Sequence, residues 1–95
     1  MKNSLNFKNT NILIGGSTNG IGWTSAQLFA KNGGNITLIA RTESLVVKRL
    51  AELENNGQQL HNYIIADFSN PKELEQQLKD FVTKNSIEYD VIINN

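Results

Sequence analysis

Residues 12–22 read ILIGGSTNGIG, an apolar run that leads directly into closely spaced glycines. The run at 12–14 is continuous rather than alternating, which is typical of a strand buried on both faces of a parallel sheet. Helix-like periodicity follows the last glycine. The stretch therefore predicts a strand, a tight turn and a helix, the first unit of an α/β fold.

Later segments repeat this order. Continuous apolar runs recur at 36–40, 63–66 and 91–93. The intervals carry helical periodicity and predict helices over 20–32, 43–56 and 71–84. With right-handed crossovers, the resulting β-α-β-α-β-α-β order gives a three-layer α/β sandwich around a parallel sheet.

The spacing of apolar residues also predicts which helix faces are buried. The expected stripes are Ile21, Ser25, Leu28 and Phe29 in the first helix, Val46, Leu50 and Leu53 in the second, and Leu74, Leu78, Phe81 and Val82 in the third. The third helix has the clearest start, with Asn70 as N-cap, Pro71 at the first helical position and Glu73 placed for a capping box.

Composition excludes several classes of function. The chain has 95 residues, enough for one small domain. Nine Lys and Arg balance nine Asp and Glu, so nothing in the charge favours nucleic-acid binding. There is no cysteine and one histidine, His61, which argues against a metal site. We expect a cytoplasmic protein, because no signal-peptide core or membrane span is evident.

The glycines at 16, 20 and 22 have the spacing G-x-x-x-G-x-G. A helix that begins near Gly20 offers free N–H groups and its positive dipole end to a phosphate. A P-loop is excluded, because Ile21-Gly22 stands where Lys-Ser/Thr is required. The alternative is a turn whose glycines serve only tight packing of the helix on the strand.

Four motifs in order resemble the short-chain dehydrogenase/reductase family. Residues 16–22 resemble its T-G-x-x-x-G-I-G loop, with Gly15 in place of the threonine. Arg41, Asp67 and Asn94-Asn95 follow the next three strands, the last pair resembling the start of N-N-A-G. The resemblance covers residues 8–95 and implies a Rossmann-type dinucleotide-binding domain.

The second strand end bears on the choice of cofactor. In dinucleotide folds an acidic residue there binds the ribose of NAD, whereas an arginine accommodates the 2′-phosphate of NADP. Here the residues are Ala40, Arg41 and Thr42, which favours NADP over NAD. Alternatively, Arg41 is a solvated residue near a helix start.

The resemblance implies the remaining site residues. Asp67 and Phe68 are expected at the adenine, although Asp67 also suits a turn, and Asn94-Asn95 near the central strands and the cofactor. The full set of predicted cofactor-binding residues is Gly16, Ser17, Thr18, Asn19, Gly20, Ile21, Gly22, Arg41, Thr42, Asp67, Phe68, Asn94 and Asn95.

No catalytic residue is predicted within the chain. The family's catalytic Ser and Tyr-x-x-x-Lys lie beyond its N-N-A-G motif, and neither Tyr63 nor Tyr89 has a lysine four residues on. We therefore expect residues 1–95 to be the N-terminal part of one dinucleotide-binding domain of a longer, homo-oligomeric oxidoreductase.

The implied reaction is hydride transfer between NADPH and a small carbonyl or alcohol substrate, with 3-oxoacyl-acyl-carrier-protein reduction as a candidate. A non-catalytic dinucleotide-binding module and an inactive truncated product remain alternatives.

Overall fold

The computed structural model describes residues 5–67 and 69–94, and for Asn94 the backbone only. Strands and helices alternate as the apolar pattern predicts. The strands are β1 (Asn11–Gly15), β2 (Asn35–Ala40), β3 (Asn62–Ile65) and β4 (Val91–Asn94). The helices are α1 (Gly20–Lys31), α2 (Glu43–Glu52) and α3 (Pro71–Asn85).

All the paired strands are parallel, in the order β3-β2-β1-β4. After β1, the chain adds β2 and β3 on one side and then returns to place β4 on the other side of β1. The direction of winding therefore reverses at β1. In open α/β sheets the crevice for ligands lies beyond the carboxyl ends of the strands at such a reversal.

Side chains alternate between two apolar layers. On one face, residues such as Ile12, Ile14 and Ile36 are fully buried with Ala26 of α1 and Val46 of α2. The opposite face carries Leu13, Ile39, Ile64 and Ala66, against which Leu74, Leu78 and Phe81 of α3 pack. The predicted three-layer arrangement is confirmed, because α1 and α2 share one face and α3 covers the other.

The predicted buried face of α1 is wrong. Its buried residues are Gly22, Ala26 and Ala30, whereas Ile21 is 75% exposed and Leu28 is 48% exposed. Small side chains allow the helix axis to approach the sheet closely, and the larger apolar residues are then displaced outward. Phe29 alone of the predicted stripe packs against the core, where its ring meets Phe7 edge-on at 4.8 Å between centroids.

The second helix is shorter than predicted and ends at Glu52 rather than near residue 56. Leu53 adopts an extended backbone, which places its side chain in the core. Beyond it, the Asn55 Oδ1 accepts from the Gly57 and Gln59 amides, and this local turn competes with continued helix. The predicted stripe at Val46, Leu50 and Leu53 does face the core.

Asn70 caps α3 as predicted, since its Oδ1 accepts from the Glu73 amide at 3.2 Å. The reciprocal hydrogen bond of the capping box, from the Asn70 backbone N–H to the Glu73 carboxylate, does not form. The Glu73 carboxylate accepts from the Asn70 side-chain Nδ2, while the Asn70 backbone N–H donates to the Asp67 carbonyl. The backbone donor is therefore satisfied by the preceding turn instead of by Glu73.

Side-chain amides link the amino ends of the strands. Asn35 donates to the Asn11 Oδ1 and accepts from the Leu60 amide, and Asn11 donates to the Glu88 carbonyl. Next to them, the His61 Nδ1 accepts from the Ile36 amide at 3.1 Å. The imidazole is thus a structural connector, and its other nitrogen lies 2.8 Å from the Glu54 carbonyl.

Candidate functional site

The carboxyl ends of the strands lie together, as the register requires. Gly15 of β1 pairs with Ile39 of β2 on one side and with Asn94 of β4 on the other. The predicted residues that follow each strand are thereby brought to one edge of the sheet. Phe68, Asn95 and the side chain of Asn94 lie outside the described residues.

The glycine loop turns sharply between β1 and α1. Gly16 and Gly20 have φ angles of 64° and 60°, a region that side chains rarely adopt, so the two glycines set the shape of the turn. Asn19 occupies the N-cap of α1 but makes no side-chain cap hydrogen bond. No acidic residue lies in the first turn. The positive end of this helix is therefore open to an anion.

The remaining loop residues differ in accessibility. Ser17 is fully buried and its hydroxyl points toward the Ile39 carbonyl at 3.5 Å, a long contact that faces the neighbouring strand. Asn19 and Ile21 are exposed, Thr18 is half-buried and Gly22 is buried against the sheet. The loop can thus present backbone N–H groups and two or three side chains to a ligand.

Arg41 follows β2 directly and is exposed. Within residues 5–67 and 69–94, its guanidinium forms no hydrogen bond or salt bridge. Thr42 is the N-cap of α2 and, like Asn19, makes no side-chain cap hydrogen bond. A cation and a second uncapped helix start therefore stand at the strand end next to the glycine loop.

Asp67 begins the turn toward α3. Its Oδ1 accepts from the Ser69 amide at 2.9 Å, and this hydrogen bond is the main reason that the pKa of Asp67 lies below its ordinary value. The charge of Arg41 lowers that pKa further. The carboxylate thus stays ionised, with Oδ1 engaged in the turn, so the turn role is observed and the adenine role stays a prediction.

One side chain at the site has no sequence signal that would have identified it. Arg49 of α2 donates through Nε to the Thr18 carbonyl of the glycine loop at 3.0 Å. Its guanidinium lies 4.8 Å from the centre of the Trp23 ring and pairs with Glu52 at 2.9 Å. Trp23 also packs against the core.

The main cavity of the described residues lies away from this edge of the sheet. A cavity of about 900 Å³ opens at the amino ends of the strands, beside Asn35, His61 and Tyr89. Among the residues placed in the structure, no cluster of His, Cys, Asp or Glu could hold a metal ion. None of the helices described has the length and apolar character needed to cross a membrane.

Comparison with known proteins identifies relatives over nearly the whole chain. A family model described as short chain dehydrogenase matches residues 10–95. The chain is 31% identical over 83 residues to hydroxysteroid dehydrogenase-like protein 1 of Gallus gallus, covering 87% of this chain and 24% of that protein. It is 33% identical over 86 residues to the chloroplastic chlorophyll(ide) b reductase NOL of Oryza sativa subsp. japonica, covering 90% and 25%.

The fold is shared with solved structures. L-sorbose reductase from Gluconobacter frateurii, solved as a complex with NADPH and L-sorbose, superposes with a TM-score of 0.82 at 23% identity. The match covers 97% of this chain and 35% of that one. The chain thus spans about a quarter of the length of the curated relatives that it matches and about a third of this structure.

Proposed function

The chain belongs to the short-chain dehydrogenase family, and from this premise we propose that it holds NADP(H) for an oxidoreductase. Residues 1–95 would form the N-terminal part of its dinucleotide-binding domain. When bound, the cofactor supplies the hydride exchanged with a carbonyl or alcohol substrate. Because the chain spans about a quarter of its curated relatives, this activity is proposed for the whole protein.

The observation that carries the proposal is the pairing of an open helix start with an unpaired cation. The first turn of α1 has neither a side-chain cap nor an acidic residue, which suits the pyrophosphate. Arg41, one strand away, is exposed and unpaired among the described residues. A guanidinium matches phosphate oxygens through two parallel hydrogen bonds, so it suits the 2′-phosphate of NADP.

Two acidic residues, Glu43 and Asp67, lie near Arg41 in the chain or in space. Glu43 opens α2 two residues after Arg41, but its carboxylate accepts from the Tyr63 hydroxyl at 3.0 Å. Asp67 interacts electrostatically with Arg41. The NADPH bound to the structurally similar L-sorbose reductase supports the same choice of cofactor.

The test is reversal of the charge at Arg41 in the full-length protein. A charge-assisted hydrogen bond contributes about 1.5–3 kcal/mol. We therefore expect Arg41→Asp to lower the ratio of kcat/KM for NADPH to that for NADH about ten- to hundredfold. Lys48→Asp makes the same charge change at an exposed position of α2 and should leave the ratio nearly unchanged. An equal ratio in wild type and Arg41→Asp would refute the role of Arg41.

The substrate is proposed only as a carbonyl or alcohol compound. The relatives are named for a hydroxysteroid, a chlorophyll(ide) and L-sorbose, so the shared chemistry is a carbonyl–alcohol pair rather than one molecule. Reduction of a 3-oxoacyl-acyl-carrier protein is our candidate within that class. Oxidation of NADPH with a 3-oxoacyl thioester, compared with a simple ketone, tests it.

We propose in addition that the whole protein is cytoplasmic and forms a homodimer or homotetramer. Cell fractionation tests the first point, and light scattering during gel filtration tests the second. Binding of NADPH without turnover of any carbonyl compound would favour the alternative of a non-catalytic dinucleotide-binding module.

A further inference from the structure

Arg49 joins three elements through three different parts of one guanidinium. Nε donates to the Thr18 carbonyl in the glycine loop, Nη1 pairs with Glu52 on its own helix, and the guanidinium carbon lies 4.8 Å from the centre of the Trp23 ring of α1. The side chain is 29% exposed, so these contacts are partly shielded from water.

We propose that Arg49 is a positioning residue that holds the glycine loop in its cofactor-binding shape. This inference rests on the proposed function, since the loop is taken to bind the dinucleotide. Arg49 acts through the loop and does not itself touch the cofactor. We call Arg49 with its contacts to Thr18 and Trp23 the latch.

The latch fixes the direction of one peptide group. The Thr18 carbonyl is turned toward Arg49, and because carbonyl and N–H point in opposite directions in a trans peptide, the Asn19 N–H is turned away from α2. The next carbonyl, that of Asn19, accepts from the Trp23 amide at 3.2 Å and starts α1. Both peptide groups that flank the Asn19 Cα are therefore fixed.

The loop needs such a constraint because of its glycines. Gly16 and Gly20 bound the turn, and glycine loses more conformational freedom on ordering than any other residue. Cofactor binding would otherwise have to supply the free energy that orders the loop. A loop ordered beforehand binds more tightly, since less entropy is lost on binding.

Arginine suits the latch better than lysine does. The planar guanidinium can stack on an indole ring while its edge donates hydrogen bonds in two directions. A lysine ammonium is a point charge and cannot make the same set of contacts at once. Trp23 contributes the aromatic surface, with the guanidinium carbon 4.8 Å from the centre of its ring.

The experiment compares three variants in the full-length protein. Arg49→Met removes the hydrogen bond and the charge but retains an unbranched stem. Glu52→Gln removes the ion pair and leaves the Nε donor to Thr18 intact, so it is the matched control. Arg49→Lys keeps the charge and replaces Arg49→Met if the latter does not fold. For each variant we would measure the Kd for NADPH and kcat at saturating NADPH. Amide hydrogen exchange of residues 16–22 would be measured without cofactor.

We expect Arg49→Met to raise the Kd about tenfold, the effect of losing one charge-assisted hydrogen bond, with kcat at saturation unchanged. Arg49→Lys should raise it at least about threefold, since stacking and the second donor direction are lost. Glu52→Gln should stay within about twofold, as exposed ion pairs contribute little. A wild-type Kd in the Arg49 variant that folds, or an equal loss in Glu52→Gln, overturns the proposal.

Hydrogen exchange separates failure of the latch from failure of the proposed function. If wild type does not bind NADPH, the proposed function is wrong, and the latch is then judged by exchange alone. Faster exchange of residues 16–22 in the Arg49 variant than in Glu52→Gln supports it. Exchange at the wild-type rate in the Arg49 variant overturns it.

Discussion

Gln59 joins the segment after α2 to the end of α1, and its truncation should destabilise the fold. Gln59 is only 7% exposed. Its Nε2 donates to the carbonyls of Ala30 at 2.8 Å and Gly34 at 2.7 Å, and its Oε1 accepts from the Asn56 amide at 3.0 Å. One amide thus satisfies three backbone groups in two segments that are distant in sequence.

Replacement of Gln59 by alanine leaves these groups without this partner. A buried polar group left without a partner costs about 1–3 kcal/mol. The Ala30 carbonyl also accepts from the Gly33 amide, so the cost of losing Gln59 at this carbonyl lies near the lower limit of that range. Asn56 is exposed, and water can replace the lost acceptor at small cost. We therefore expect Gln59→Ala to lower the free energy of unfolding by about 3 kcal/mol.

The measurement is urea-induced unfolding of the full-length protein, followed by circular dichroism. Gln58→Ala is the matched control, because Gln58 is an exposed glutamine next to Gln59, and we expect it to change stability by less than about 0.5 kcal/mol. A lower midpoint with an unchanged m value shows a change in stability. If the two variants unfold at the same urea concentration, the inference that Gln59 joins the two segments is wrong.

Three further predictions concern packing, pH and capping. Gly34→Ala should cost about 1–3 kcal/mol in urea unfolding, because its Cβ would lie 3.0 Å from the Phe29 carbonyl oxygen and 2.8 Å from the Cδ1 of the fully buried Ile12. Wild-type stability of this variant would contradict the expectation. Burial raises the pKa of Tyr89, although its hydrogen bond with Thr37 lowers it. Wild type should therefore lose stability relative to Tyr89→Phe as pH rises above about 10, whereas parallel pH profiles would contradict the burial effect. Asn70→Ala should cost about 1 kcal/mol, with faster amide exchange in the first turn of α3 as the check.

The order of elements could be predicted because each strand is a continuous apolar run. Those runs at 12–14 and 36–40 are buried on both faces, which is what the absence of alternation indicates. The N-cap at Asn70 was also readable, since N-cap, Pro and Glu stand within four adjacent positions. Local signals of this kind depend on neighbouring residues, and a sequence displays them directly.

The face of α1 could not be predicted from hydrophobicity alone. Large apolar residues at Ile21 and Leu28 suggested one stripe, but close approach to the sheet favours Gly22, Ala26 and Ala30. A hydrophobicity pattern gives most weight to large apolar side chains. A short distance between helix and sheet instead requires small residues at the contact. A count of small residues at i and i+4 spacing would have found the buried face.

Contacts between residues that are far apart in the sequence could not be predicted either. The Arg49 hydrogen bond to Thr18 spans 31 positions and the Gln59 contact to Ala30 spans 29. Both depend on how far a long side chain extends after the helices have packed. At the candidate site the strand-end residues were predictable from topology, and the side chain that constrains the loop was not.

The side-chain amides of Asn11 and Asn35 at the amino ends of the strands have a consequence for which substitutions the fold can accept. Asn11 and Asn35 connect the starts of β1 and β2 through their side chains. The Asp90 carboxylate accepts from the Asn11 backbone amide, and the His61 Nδ1 accepts from the Ile36 amide. At the opposite edge Arg41 and Asn19 are exposed, and neither side chain takes part in these hydrogen bonds. Substitution of these two exposed side chains would therefore leave the hydrogen bonds at the strand starts intact. Arg41, the side chain proposed to select the cofactor, and the side chains that bind the strand starts thus lie at opposite ends of the same strands, so Arg41 can be substituted without removing any of these hydrogen bonds.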